Sequence, residues 1–285
     1  MNRNLRAGLY LAITFGISWT VLIVAWLNGA RDIGSAAVAS QLFTLGPPIA
    51  ALTCAFLFEK GERLAALGLR LRPDRWWLAS LHLGFLLVGY SQTVGAIFPV
   101  AAFDQSVDIP ANLALLLDIP ASQVPTGTGS LVLIFCAFVA GFAIMFTLTE
   151  EMGWRGYLYW QWRSLGFWRF SLLQGAIWGI WHWPMVILFG MIFADNRLIA
   201  LVFYPLNLMA LSPLMTLLRD RGGSIWAPGI LHGTLNAISI IIFGALASKA
   251  EPSLWILPVN FSFLVLVECF RRKWPDPINR QPVLN

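Results

Sequence analysis

Eight stretches of the chain are apolar and nearly free of charge: residues 7–28, 39–58, 76–100, 129–152, 168–192, 198–218, 225–247 and 252–270. Each is close to the roughly 20 residues that a helix needs to cross a ~30 Å hydrocarbon layer. Backbone groups in lipid must be satisfied within their own segment, so these stretches are expected as helices. The fold class that follows is all-α: a polytopic integral membrane helical bundle of about eight transmembrane helices, with residues 1–285 as a single membrane domain. The fourth stretch is expected to continue as helix to about residue 162. Pro47, Pro48, Pro184, Pro205 and Pro213 fall inside apolar stretches and predict kinks.

Composition agrees with this pattern. Of 285 residues, 58% are hydrophobic and only 12% charged, with a mean hydropathy of +0.71. A soluble domain carries about 25% charge. The net charge of +5 would suit a nucleic-acid binder, but the basic residues alternate along the chain. The N-terminus and the segments after stretches two, four, six and eight hold 16 of the 19 Lys and Arg; the other four connections hold 3. Such a bias is the positive-inside signal, which predicts both termini in the cytosol and residues 101–127 outside. It also removes the case for nucleic acid and points to a multi-pass protein of the cell membrane. The opening run is longer than a signal-peptide core and lacks a cleavage site, so it is taken as an uncleaved first span. The tail "WPDPINRQPVLN" is expected as a short disordered end. Cys54, Cys136 and Cys269 have no C-x-x-C partner and are expected as small buried hydrophobes.

Ionisable side chains within spans are costly and point to function. Glu268, three residues before Arg271, is expected at the interface, and His82 as a hydrogen-bonded packing residue. Glu150, His182 and His232 differ. They lie 13, 13 and 11 residues from Arg163, Arg169 and Arg221, which at 1.5 Å per residue puts all three roughly 16–20 Å deep. Asn236 follows His232 by four residues and shares its helical face. Glu151 and Arg155 are four apart and predict an ion pair, whereas Glu150 points about 100° away and has no evident local partner. Gly175 and Gly179 are spaced G-x-x-x-G, a device for close helix approach. Trp178 stands one turn before His182, where ordinary packing would explain it. Pro184 is placed to bend the helix beside His182.

A carboxylate, two imidazoles and a carboxamide at one depth suit water activation: Glu150 as general base, His182 holding the water, His232 and Asn236 donating to an oxyanion. The same Glu150, His182 and His232 would also make a zinc site. Other protease signatures are missing. H-E-x-x-H, G-x-S-x-G and an intramembrane aspartate pair are all absent from the sequence.

Three motifs in order, "EEMGWR" (E-E-x-x-x-R), "WGIWH" ([FW]-x-x-x-H) and "HGTLN" (H-x-x-x-[ND]), resemble the CPBP family of intramembrane proteases. That family includes type II CAAX prenyl endopeptidases and Abi bacteriocin-immunity proteins. The likeness covers residues 128–245, the expected core. It implies a helical chamber open to the cytosol and endoproteolysis of a membrane-associated protein or peptide, prenylated or otherwise anchored. It assigns Glu150 as base, His182 as its partner, His232 and Asn236 as the oxyanion pair, and Glu151 and Arg155 as support. At 178 this chain has tryptophan rather than phenylalanine. The family has been described both as metal-dependent and as a metal-independent glutamate protease. A site without a metal cofactor is preferred here, because Asn236 is a good donor and an uncommon zinc ligand. A non-catalytic scaffold or immunity protein is the alternative function. A transporter would be expected to show inverted repeats, and none is evident. Substrate identity and oligomeric state are not legible.

Overall fold

The computed structural model describes residues 1–71, 73–97, 109–192, 196–242 and 256–273. These residues fold into helices, and no strand occurs among them. In chain order the helices are α1 (Arg3–Leu27), α2 (Ala37–Phe43), α3 (Gly46–Phe58), α4 (Arg63–Leu67), α5 (Arg75–Ile97), α6 (Ile109–Leu117), α7 (Thr128–Phe146), α8 (Tyr159–Trp162), α9 (Phe167–Trp181), α10 (Trp183–Phe189), α11 (Arg197–Gly222), α12 (Trp226–Ala237) and α13 (Ile256–Lys273). Between α7 and α8 the chain is wound as a π-helix, Thr147–Leu158.

The polarity of the bundle is inverted relative to a soluble protein. Glu150, Glu151, Arg155, Gln174, His182, Ser212 and His232 are buried, while Leu133, Leu198, Val202, Leu86 and Val265 stand on the outer surface. Apolar side chains facing outward suit hydrocarbon, and buried charges then need internal partners. Five helical segments are long and apolar enough to cross a membrane: Arg3–Leu27, Ala37–Phe58, Thr128–Leu165, Phe167–Phe189 and Arg197–Gly222. The other three expected spans fall short within the described residues. α5 is diluted by Trp, His, Ser, Gln and Tyr. α12 with its π-helical continuation is described as far as Ile242, and α13 carries Glu268, Arg271, Arg272 and Lys273. Residues 98–108, 243–255 and the tail 274–285 lie outside the described residues, and with them part of the expected outer loop 101–127 and the expected disordered end.

Two expected spans are broken rather than kinked. The second divides at Thr44–Leu45 and the fifth at His182. In both, proline supplies the reason: Pro47 and Pro48 open α3, and Pro184 opens α10. A proline lacks the N–H that would continue the ladder. Pro205 and Pro213 are carried inside α11.

Close helix approach fixes the frame. α9 packs on α11, and a Cβ at Gly175 would stand 2.7 Å from the Leu208 carbonyl oxygen, while one at Gly179 would run into the Pro205 backbone. The G-x-x-x-G expectation therefore holds. A second such pair, Gly229 and Gly233 on α12, lies against Thr147 and Ala143; the sequence carried this signal unread.

At one end of the bundle, buried Glu59 joins three helices. It pairs with Arg6 Nη1 at 2.9 Å and accepts from Trp160 Nε1 at 3.2 Å and Gln161 Nε2 at 2.9 Å. Glu268 is paired with Arg271 at 2.9 Å and Arg272 at 2.6 Å. His82, on the surface, bonds the Leu78 carbonyl of its own helix at 2.7 Å. The three cysteines are free thiols. Cys54 is buried, but Cys136 and Cys269 are exposed on the outer surface, where an apolar thiol can face lipid as readily as a core.

Candidate active site

The site forms where the π-helix, α9 and α12 meet. The π-helix carries Glu150, Glu151 and Arg155, all buried, and the π form recurs at functional sites because it re-aims side chains within one segment. Its glycines let neighbours come close: a Cβ at Gly156 would collide with the Leu67 carbonyl.

Glu151 is held from two sides. Arg155 Nη1 donates to Glu151 Oε1 at 3.0 Å, the expected i,i+4 pair. The Nδ1 atom of His232 lies 3.0 Å from the same oxygen. A carboxylate oxygen that accepts from a guanidinium can only accept, so Nδ1 carries the hydrogen and His232 Nε2 is the open nitrogen. Phe146 stacks on this imidazole with ring centroids 4.1 Å apart. Arg155 is fixed further by Ser212 Oγ at 3.5 Å. Ser212 Oγ in turn donates to Gln174 Oε1 at 2.5 Å, and Arg219 Nε donates to the Arg155 carbonyl at 2.8 Å. The charge of Arg155, counted above with the cytosolic segments, is thus buried in the site; without it the basic split is 15 to 3, still strongly one-sided.

Glu150 has a partner that the sequence did not suggest. Trp178 Nε1 donates to Glu150 Oε2 at 2.7 Å. Among the described residues nothing donates to Oε1. Trp178 is therefore more than packing. The indole also faces Arg155, whose guanidinium carbon is 4.4 Å from the ring centroid, and meets the His232 ring edge-on at 5.3 Å.

His182 occupies the break between α9 and α10. Its Nδ1 lies 2.9 Å from the Trp178 carbonyl. A carbonyl only accepts, so Nδ1 is the protonated nitrogen here too and Nε2 is left free. The Tyr204 and Trp181 rings flank it at 4.9 and 4.7 Å. Asn236 lies one turn beyond His232, with Nδ2 donating to the His232 carbonyl at 3.1 Å. One amide hydrogen is thus used and one remains.

The equal depths estimated along three helices correspond to one connected cluster: Glu150 to Trp178, Trp178 to His232 and His182, His232 to Glu151. Two links were missed, Trp178–Glu150 and His232–Glu151. Neither is visible from spacing within one helix.

A family model described as Type II CAAX prenyl endopeptidase Rce1-like matches residues 130–238. This segment is similar to the CAAX-protease family. The matched segment contains Glu150, Glu151, Arg155, Trp178, His182, His232 and Asn236, so every member of the cluster lies within it. No curated protein matches the chain. The family is one of proteases, and the apolar helices make the chain a multi-pass membrane protein.

Zinc was the alternative occupant. Among the described residues no three His, Cys, Asp or Glu side chains gather as ligands of one ion. Trp178 occupies one oxygen of Glu150, and Glu151 occupies one nitrogen of His232. These contacts leave Glu150 Oε1, His182 Nε2 and His232 Nε2 open, the atoms a zinc ion would take, and no step below passes through a metal.

Proposed function

We propose that the protein is an intramembrane endopeptidase in which Glu150 activates water. The observation that carries this reading is the division between the two carboxylates. Each carboxylate leaves one oxygen without a donor, but Glu151 is fully enclosed and its other oxygen is engaged by Arg155 and His232, whereas Glu150 keeps a 3% exposure and is held only by a neutral indole.

In the proposed reaction, water sits between Glu150 Oε1 and His182 Nε2. Both atoms accept, so the two hydrogens of the water are occupied and an oxygen lone pair is presented to a peptide carbonyl. As the oxygen attacks, Glu150 takes one proton and the carbonyl becomes an oxyanion. The second amide hydrogen of Asn236 donates to that oxyanion. His232 can donate from Nε2 only as the imidazolium, whose Nδ1–H faces the Glu151 carboxylate. Glu150 then passes its proton to the amide nitrogen, the C–N bond breaks, and a carboxylic acid and an amine leave.

Other parts of this reading come from the family and the charge pattern. The substrate is a membrane-associated protein or peptide, prenylated or otherwise anchored. The core is taken as residues 128–245 of a single domain, with eight spans, both termini in the cytosol and the chamber open to that side. The test is proteomics of membranes bearing wild-type protein or Glu150→Ala. A cleavage product that requires Glu150 is expected, and its absence under expression of both forms would overturn the proposal.

A further inference from the structure

Trp178 touches every ionisable group of the cluster except Glu151. Its Nε1–H donates to Glu150 Oε2 at 2.7 Å. Its ring face carries the Arg155 guanidinium at 4.4 Å. Its edge meets His232 at 5.3 Å, and its backbone carbonyl accepts from His182 at 2.9 Å. Phenylalanine at this position would keep a ring face and the carbonyl but give up the fused second ring with its N–H.

We infer that Trp178 is the positioning residue for the hydrolytic base: its indole N–H pins one oxygen of Glu150 and thereby aims the other at the water. This rests on the reading of Glu150 as the base. A glutamate side chain has three rotatable torsions, and among the described residues no other group donates to its carboxylate. Indole is rigid, and its ring is itself clamped between Arg155 and His232, so one hydrogen bond transmits the order of the whole cluster to Glu150. A base fixed before substrate arrives avoids the ordering cost during the chemical step, and misplacement of a reacting group by about 1 Å can lower the rate about 10²-fold. A packing residue would need the ring alone.

The two roles separate by removing the N–H while keeping the ring. In Trp178→benzothienylalanine a sulfur replaces the N–H within a ring of nearly the same shape; Trp178→Phe is the encoded counterpart. Full-length protein in detergent is assayed with a farnesylated C-a-a-X peptide bearing a fluorophore and quencher across the scissile region. Both variants should lose about 10²-fold in kcat, with KM unchanged and, for the isostere, an unchanged melting temperature. A second readout needs no turnover. In ¹⁵N-tryptophan-labelled protein, the indole resonance that disappears in Trp178→Phe should move upfield in Glu150→Gln, because a neutral acceptor holds the proton more weakly. If that resonance ignores Glu150→Gln, or if the isostere keeps full kcat, Trp178 is packing and the inference is overturned. A fall in melting temperature together with a rise in KM in the isostere has the same meaning. Should wild-type protein leave the peptide uncut, the resonance decides alone. A fully active isostere beside an inactive Glu150→Gln would remove this inference and leave Glu150 as base; an active Glu150→Gln would remove both.

Discussion

Glu150 and Glu151 are neighbours in sequence and stand in opposite surroundings. Glu151 Oε1 accepts from Arg155 and faces His232 Nδ1, and the arginine behind it is braced by Ser212 and by the Arg219 bond to its carbonyl. Glu150 has one donor, an indole, and a free oxygen. Glu151 Oε2 also lacks a donor, but it is sealed at 0% exposure behind Arg155 and His232, so Glu151 is built into the frame while Glu150, less enclosed and held by one neutral donor, is the carboxylate a ligand can meet. Buried ion pairs seldom add stability over apolar packing, but breaking one leaves an uncompensated charge. Stability should therefore depend on Glu151 and its partners, and turnover on Glu150.

The sharpest test is Glu150→Gln. The amide keeps the shape and can still accept from Trp178, but it cannot take a proton from water. Turnover of the C-a-a-X peptide should fall by about 10²–10⁴, with the melting temperature in detergent close to wild type. Finding Glu150→Gln active while a well-folded Glu151→Gln is dead would reverse the two roles.

Next in size is Arg155→Ala. It leaves Glu151 facing His232 alone in a dry setting. Removing one member of a buried pair costs about 3–5 kcal/mol, so the variant should unfold at lower denaturant concentration or fail to accumulate. Its residual activity should be partial, because Arg155 makes no hydrogen bond to Glu150 and meets it across the face of Trp178. A variant as stable as wild type would mean that His232 neutralises Glu151 unaided.

How much of this contrast was legible depends on how far each contact reaches. The Glu151–Arg155 pair lies within one helix, where spacing of four fixes neighbours. The break at His182 follows from Pro184, and the α9–α11 approach from Gly175 and Gly179. Depth counted from flanking arginines brought Glu150, His182 and His232 to one level. The rest depends on rotation and side-chain aim, which a linear pattern does not hold. No residue pattern announced a π-helix over Thr147–Leu158, and that winding sets where Glu150 and Glu151 point. An indole N–H finding Glu150 across two helices depends on a rotamer. Gly229 and Gly233 were different, since the same spacing rule applied to α12 would have found the approach to α7.

Asn236 offers a smaller and more discriminating effect. As an oxyanion donor, its loss in Asn236→Ala should cost about 10²–10³ in kcat. Asn236→Asp should not recover activity, because a carboxylate repels the developing charge. A zinc-dependent site predicts the reverse, since aspartate is the better ligand. The same preparations, treated with chelator and analysed for metal content, give a second arm. Activity that survives complete metal removal supports the glutamate mechanism; near-stoichiometric zinc lost together with activity would replace it.

The smallest effect expected is at Ser212, and it tests whether the bracing behind Glu151 matters only to the fold. Ser212 Oγ donates to Gln174 Oε1 at 2.5 Å and receives Arg155 Nη2 at 3.5 Å. The second bond is long compared with the 3.0 Å contact between Arg155 and Glu151, so the guanidinium should keep its place without the hydroxyl. Ser212→Ala removes the donor to Gln174, and all of these groups are buried. A buried acceptor left without its partner costs about 1–3 kcal/mol. The expected outcome is a loss of stability in that range, read from denaturant unfolding in detergent, with kcat and KM near wild type. A kcat loss as large as that of Asn236→Ala, with stability intact, would mean that the hydroxyl reaches the chemistry through Arg155 and that the division between a structural Glu151 and a reactive Glu150 is drawn in the wrong place.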